Sequence, residues 1–312
     1  MTRPIVSSFI LASTLAFVPI AQAKVSEEVA NRLGRDLTPV GAQVTGNADG
    51  SIPAWTGGIT QPPEGYEPGS WHVDPFAGET PLFTITAKTA KQYESRLSEG
   101  QKALFRTYPD SYKMVVYPSH RSAAYPQYVY DALKRNAVKA EVLPRGTGVK
   151  NAIITSPFPI PQEGIEVLWN HTLRYRGEQV KFRSAFASPN RNGSFTPVLT
   201  EYEYYFNYSQ PDATPEDINN IIFMLRTRVL APSKLAGTLT LVHETLDQVR
   251  SPRKAWRYQA GERRLRRSPQ LAYETDLPNS ESQRTVDQLD MYNGAPDQYE
   301  WTLLGKREVY IP

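Results

Sequence analysis

Cysteine is absent from all 312 residues. Disulfide stapling, thiol catalysis and thiolate metal sites are excluded together, and stability has to come from an ordinary core. Histidine is scarce: His72, His120, His171 and His243 stand far apart with no HxH or HExxH spacing, so no metal site is expected. GxSxG, GxGxxG and Walker motifs are missing as well, which removes the entry signals of serine hydrolases, dinucleotide binders and P-loop proteins. Glu201 and Glu203 supply the paired carboxylates a glycosidase needs, but two residues apart on a strand they read as its solvent side. The expectation is a non-enzyme without a cofactor, a cell-envelope hydrolase being the weakest alternative. Nor is there an excess of one charge: 35 Lys and Arg oppose 32 Asp and Glu, too even a balance for nucleic acid.

Long apolar runs are confined to the first 23 residues, MTRPIVSSFILASTLAFVPIAQA. One early Arg3, an apolar run from Ile5 to Ile20 and the small residues Ala21 and Ala23 make a secretory signal peptide cleaved after Ala23. The run is too short, and too interrupted by Ser, Thr and Pro, to span a bilayer. With no cysteine to carry a lipid anchor, the expected product is an exported periplasmic protein with no transmembrane segment after cleavage.

What is present divides into a signal peptide (1–23), a Pro/Gly-rich segment (24–82) and a body (83–312). Ser26 caps a short helical pattern closed by Gly34. Residues 37–81 then read as turns and extended coil, with Trp55 and Trp71 as anchors onto the body. Helical patterns follow in TAKTAKQYESRL, in SEGQKALFRTY with a Ser98–Gln101 capping box, in PQYVYDALKRNAVKA, and in the stripe Ile165, Leu168, Trp169, Leu173. From Glu178 the period switches to two in six runs separated by tight breaks, the pattern of an antiparallel meander, and QYEWTLLGKREVYI reads as a last strand. Tyr202, Tyr204, Phe206 and Tyr208 fall on one face of their run, and Trp256 and Tyr258 share a face of theirs. Such a face is either plain core or the lining of a greasy cavity.

AGERRLRRSP concentrates Arg263, Arg264, Arg266 and Arg267, and the following thirty residues are acidic. Two neighbouring segments of opposite sign are expected to fold onto each other. The functional alternative is a docking face for lipid phosphates or an acidic partner.

The runs AWRYQAGERRLRRSP and LDMYNGAPDQYEWTLLGKREVYIP, with the earlier LTPVGA, GNADGSIPAWTGGI and DPFAGETPLFTIT, resemble the family called domain of unknown function 1329 (DUF1329) across the whole mature chain. The resemblance implies an α+β fold like the lipoprotein carriers LolA and LolB: an open antiparallel half-barrel sheet, mainly β, with amphipathic helices covering its concave face. It also implies lipoprotein sorting, in company with an outer-membrane protein and an inner-membrane exporter, and brings no catalytic residues. Members continue beyond Tyr310-Ile311-Pro312, so the resemblance implies that strands are missing here.

The expected function is a periplasmic carrier or chaperone for a hydrophobic ligand, a lipid or lipidated protein, working between inner and outer membrane. Tyr202, Tyr204, Phe206, Tyr208, Trp256 and Tyr258 are the candidate ligand-lining residues. Arg263, Arg264, Arg266 and Arg267 are the candidate head-group or partner contacts. The alternative is a non-enzymatic adaptor docking onto outer-membrane or exporter components.

Overall fold

The computed structural model describes residues 25–268 and 274–311; the segment read as a signal peptide lies outside the described residues. Helix α1 (Glu27–Ala30) opens with the Ser26 hydroxyl accepting from the Val29 amide. Coil follows as far as strand β1 (Phe83–Thr86). TAKTAKQYESRL gives a 3-10 helix over Ala90–Arg96 with no side-chain cap. Helix α2 (Glu99–Thr107) has both halves of the Ser98–Gln101 capping box. Strand β2 (Lys113–Val116) pairs antiparallel with β1. Helix α3 (Gln127–Lys139) starts after Pro126 and buries Val129, Ala132, Leu133, Asn136 and Ala137. The short pair β3 (Glu141–Val142) and β4 (Val149–Lys150) leads to α4 (Gly164–Thr172).

The six runs of period two become β5 (Gln179–Phe186), β6 (Val198–Tyr205), β7 (Ile221–Ala231), β8 (Leu239–Thr245), β9 (Lys254–Gln259) and β10 (Arg264–Arg267). They form one antiparallel sheet in sequence order, and it is not closed. The fold is mixed α+β. Among the described residues no helix is long and apolar enough to cross a membrane.

The core sits at one end of this sheet. Trp169 and Leu173, from α4 and its C-cap, pack with Tyr208, Ile218 and Ile222, so the apolar stripe of α4 is core. The remaining helices pack away from the six-stranded sheet, α3 on residues 153–154 and on α1, and α2 on the β1–β2 pair, so they are not the cover expected over its concave face. Buried Asn136 knits α3 to its loop, donating from Nδ2 to the Ile153 carbonyl at 3.0 Å and accepting the Ile153 amide at 3.3 Å.

The Pro/Gly-rich segment is laid against the body. Arg121 donates to the Gln43 carbonyl at 2.6 Å and the Val44 carbonyl at 3.1 Å, and Trp55 Nε1 donates to the Ala123 carbonyl at 3.4 Å. Gly41, at φ +86°, lies so near the body that a Cβ there would stand 1.7 Å from the Pro159 carbonyl oxygen. Trp71 is 69% exposed and anchors nothing. The run expected as a last strand is coil over 299–311. It is pinned by the Tyr310 amide on the Arg96 carbonyl and by the Tyr310 ring in the β1–β2 cluster, so it adds no strand to the sheet.

Asn136→Leu should keep the shape of α3 while stranding the polar groups of the 153–156 loop. The expected cost is about 3 kcal/mol, read as a lower midpoint in urea unfolding.

Candidate functional site

Alternation assigns every strand residue to one of two faces, and the register joins them across the sheet. Phe182 pairs with Tyr202, Tyr202 with Thr227, Thr227 with Thr240, Thr240 with Arg257, and Arg257 with Arg266. That row lies on one face. The neighbouring row on the same face runs Val180, Tyr204, Leu225, Val242, Ala255. This is the covered face: Val198, Thr200, Val229, Glu244 and Ala255 are buried on it. The other face is the more open one: its strand residues are exposed or half-buried apart from Thr245 at the end of β8 and Ile222 beside the β7–β8 register shift.

An aromatic tier occupies the β5–β7 half of the covered face. Phe182 stacks on Tyr202 at 4.9 Å, Tyr204 stacks on Phe206 at 5.3 Å, and Phe223 meets Tyr204 edge-on at 5.4 Å. The tier is graded, from Phe182 at 37% exposure to Phe206 at 5%. Burial pushes the pKa of the Tyr202 and Tyr204 hydroxyls up.

Arg176 lies over the tier, its guanidinium carbon 4.7 Å from the Phe206 centroid and 5.6 Å from that of Tyr204. Burial first, then neighbouring Arg174, lowers its pKa, and Asp290 works against them. Asp290 accepts from Arg174 at 2.7 Å and from Arg176 at 3.2 Å, while its carbonyl meets His171 Nε2 at 2.6 Å. Through these bonds the irregular segment 274–301 lies over the covered face. Further contacts are Arg284 over the Phe186 ring and Ser188 Oγ donating to the Ser280 carbonyl at 3.0 Å.

Toward β9 the covered face turns polar. Arg253 Nε donates to Glu244 Oε2 at 2.6 Å, with only 8% and 6% of the two side chains exposed, and Arg253 Nη2 donates to Asn293 at 2.8 Å. Arg257 Nε is buried without a hydrogen-bond partner among the described residues.

The candidates named from sequence therefore separate. Tyr202, Tyr204 and Phe206 come together on the covered face. Tyr208 follows the strand, in a 3-10 turn over Asn207–Ser209, and is core at 2% exposure with its hydroxyl donating to the Thr155 carbonyl at 3.2 Å. Trp256 and Tyr258 stand on the open face, because Trp256 pairs with Leu241 and Tyr258 with Leu239. There, Leu239, Leu241, Trp256, Tyr258 and Leu265 form an apolar patch, Leu265 being 69% exposed.

The arginines divide too: Arg264 and Arg266 fall on the covered-face side of β10 and Arg267 on the open side. Arg263 sits in the β9–β10 turn at φ 52°. Arg266 pairs with Glu262 at 2.8 Å. Among the described residues none of the four pairs with the acidic segment, whose Asp290 is engaged by Arg174 and Arg176 instead. Arginine on both sides of an exposed edge strand hinders edge-to-edge pairing, which accounts for much of the cluster.

Phe182, Phe223 and Arg176 escaped the sequence reading. The alternation of Phe182 with Lys181 and Arg183 was a usable signal; the position of Arg176 was not encoded locally. Glu201 and Glu203 lie on the open face. Burial raises the Glu201 pKa, but its bonds to Lys181 and Arg183 outweigh this and hold it low, and the bond to Lys181 chiefly lowers that of Glu203. A glycosidase acid needs the opposite shift. Among the described residues no His, Cys, Asp and Glu cluster is arranged to hold a metal ion.

A family model described as "Protein of unknown function (DUF1329)" matches residues 84–312. An uncharacterized protein of Pseudomonas aeruginosa is 46% identical over 311 residues, covering 100% of this chain and 68% of that one. A crystal structure of a DUF1329 family protein from Desulfovibrio piger matches at 17% identity and TM-score 0.32, over 43% of this chain and 50% of that one.

Arg253→Met should leave the Glu244 carboxylate buried short of its main partner and cost about 3–5 kcal/mol. The double variant with Glu244→Met is expected to regain most of that loss, as read by a denaturation double-mutant cycle.

Proposed function

The chain belongs to the DUF1329 family, and from that premise we propose that it is a periplasmic carrier or chaperone for a hydrophobic ligand, a lipid or lipidated protein, passing between inner and outer membrane. The observation that supports this most is the composition of the row Phe182, Tyr202, Thr227, Thr240, Arg257, Arg266. Its aromatic and cationic ends share one face, and β6 and β9 lie about 14 Å apart at the usual strand spacing. An amphiphile laid across the strands puts its apolar part on Tyr202, Tyr204 and Phe206 and an anionic head near Arg257, Arg264 and Arg266. On this reading the sheet is a LolA-like half-barrel whose concave side is the covered face, and 274–301 is its displaceable cover. Covering about 200 Å2 of apolar surface contributes about 5 kcal/mol. Each half-exposed ion pair of Asp290 that has to open is worth about 0–1 kcal/mol.

Native mass spectrometry of protein purified without detergent tests this. The wild type is expected to carry adducts of defined mass that vanish on denaturation, and Tyr204→Asp to lose them while keeping its far-UV CD spectrum. A clean apo mass with no uptake of added phospholipid overturns the carrier reading.

The open-face patch favours a second reading, an adaptor that docks onto outer-membrane or exporter components through Leu241, Trp256 and Leu265. Trp256→Asp with Leu265→Asp is then expected to abolish partner capture in a pull-down without altering lipid adducts. Unchanged capture overturns it.

A further inference from the structure

A cavity of about 160 Å3 lies at the end of β8, away from the aromatic tier, lined by Asn219, His243, Thr245, Arg250, Ser251 and Lys254 among others. Its frame is rigid. Asn220 donates to the Asp247 carbonyl at 2.9 Å and accepts the Asp247 amide at 2.8 Å. Asp247 Oδ1 in turn accepts the amides of Val249 and Arg250, both at 3.0 Å, so its carboxylate is occupied in shaping the loop.

Inside this frame the donors are unused. Thr245 is 3% exposed and closes one wall of the cavity, its Oγ1 shut away from the open space and without a hydrogen-bond partner among the described residues. Arg250 and Lys254 form no ion pair among the described residues, the Asn219 and Ser251 side chains make no hydrogen bond among them, and no carboxylate lines the cavity. His243 stands at the rim, edge-on to Trp256 at 5.0 Å.

Size decides the ligand class. At about 30 Å3 per liquid water the cavity holds roughly five waters, which suits one tetrahedral anion with some hydration. It falls below the roughly 300 Å3 at which pockets for drug-sized ligands begin. Two unpaired cations with hydroxyl and amide donors and no acceptor charge are the complement of a phosphate group. We propose that this cavity is a binding site for a phosphate-class oxyanion, held by Arg250 and Lys254 and hydrogen-bonded by Ser251 and Asn219. It shares no residue with the aromatic tier, so it stands whatever the fate of the carrier reading.

The test titrates inorganic phosphate into the full chain and follows the four histidine imidazoles by NMR. Burial first, and Lys254 second, lower the His243 pKa, so an anion arriving beside it should raise that pKa and move its resonances. A saturable shift at His243, with His72, His120 and His171 still, is the expected result. Arg250→Met with Lys254→Met should weaken binding at least tenfold, while Thr245→Val, whose hydroxyl is shut away from the cavity, should leave it unchanged. Tighter binding of glycerol 3-phosphate than of phosphate assigns the site to phosphomonoesters, and equal or weaker binding assigns it to the free ion. The proposal is overturned if wild-type His243 shows no saturable response at millimolar phosphate, or if the double methionine variant, folded by CD, responds as the wild type does.

Discussion

Because side chains alternate across a strand, the pairing of Tyr202 with Thr227, Thr227 with Thr240 and Thr240 with Arg257 binds the character of one strand to that of the next. The apolar side of the ribbon changes hands along the sheet. In β5 and β6 it is the covered face that carries Phe182, Tyr202 and Tyr204, while Lys181, Arg183, Glu201 and Glu203 form a charged ladder on the open face. In β9 and β10 the covered face carries Arg257, Arg264 and Arg266, and the open face carries Trp256, Tyr258 and Leu265. A sheet with one uniformly apolar face would be sealed by any amphipathic helix. This one needs a cover that is apolar at one end and polar at the other.

Segment 274–301 meets that requirement because it is irregular. Over the aromatic tier it contributes Asp290, which holds Arg176 against Tyr204 and Phe206. Over the polar half it contributes Asn293, which completes the buried Arg253–Glu244 pair. Removing one partner of such a pair is costly, whereas the pair as a whole adds little over apolar packing. The cover is thus specified by position more than by net attraction, and its exposed bonds to Asp290 open at small cost.

The six strands were legible because each run has its own period-two pattern and its own turn, both local properties. The Ser98–Gln101 box and the stripe of α4 were legible for the same reason. Which strand faces match was not, since register is set by pairing between distant residues and a one-residue slip exchanges the faces. Trp256 and Tyr204 look alike in sequence, and their separation onto opposite faces rests on pairings carried through β7 and β8. The alternation of 298–311 misled because an extended run becomes a strand only when a sheet edge accepts it. Here Tyr310 and Trp301 are engaged elsewhere, with the ring of Tyr310 on the β1–β2 cluster and Trp301 Nε1 on the Pro296 carbonyl. The two segments of opposite sign, 250–267 and 274–300, do meet where Arg253 donates to Asn293, but among the described residues they form no ion pair with each other, since Asp290 is engaged by Arg174 and Arg176.

The arginines of β10 show how one local feature answers two constraints. A four-residue strand at the open edge of a sheet exposes unpaired backbone, and flanking charge is the usual protection against another chain adding on. That need is met by arginine at any of the β10 positions. Alternation nevertheless puts Arg264 and Arg266 on the side of Arg257, whose buried Nε lacks a partner among the described residues, and leaves Arg267 beside the apolar patch. Edge protection explains why the strand is basic. A third arginine on the covered face, one strand inward, is half-buried with its Nε unsatisfied among the described residues, and burying a polar group in that state is unfavourable unless something else on that face accepts from it.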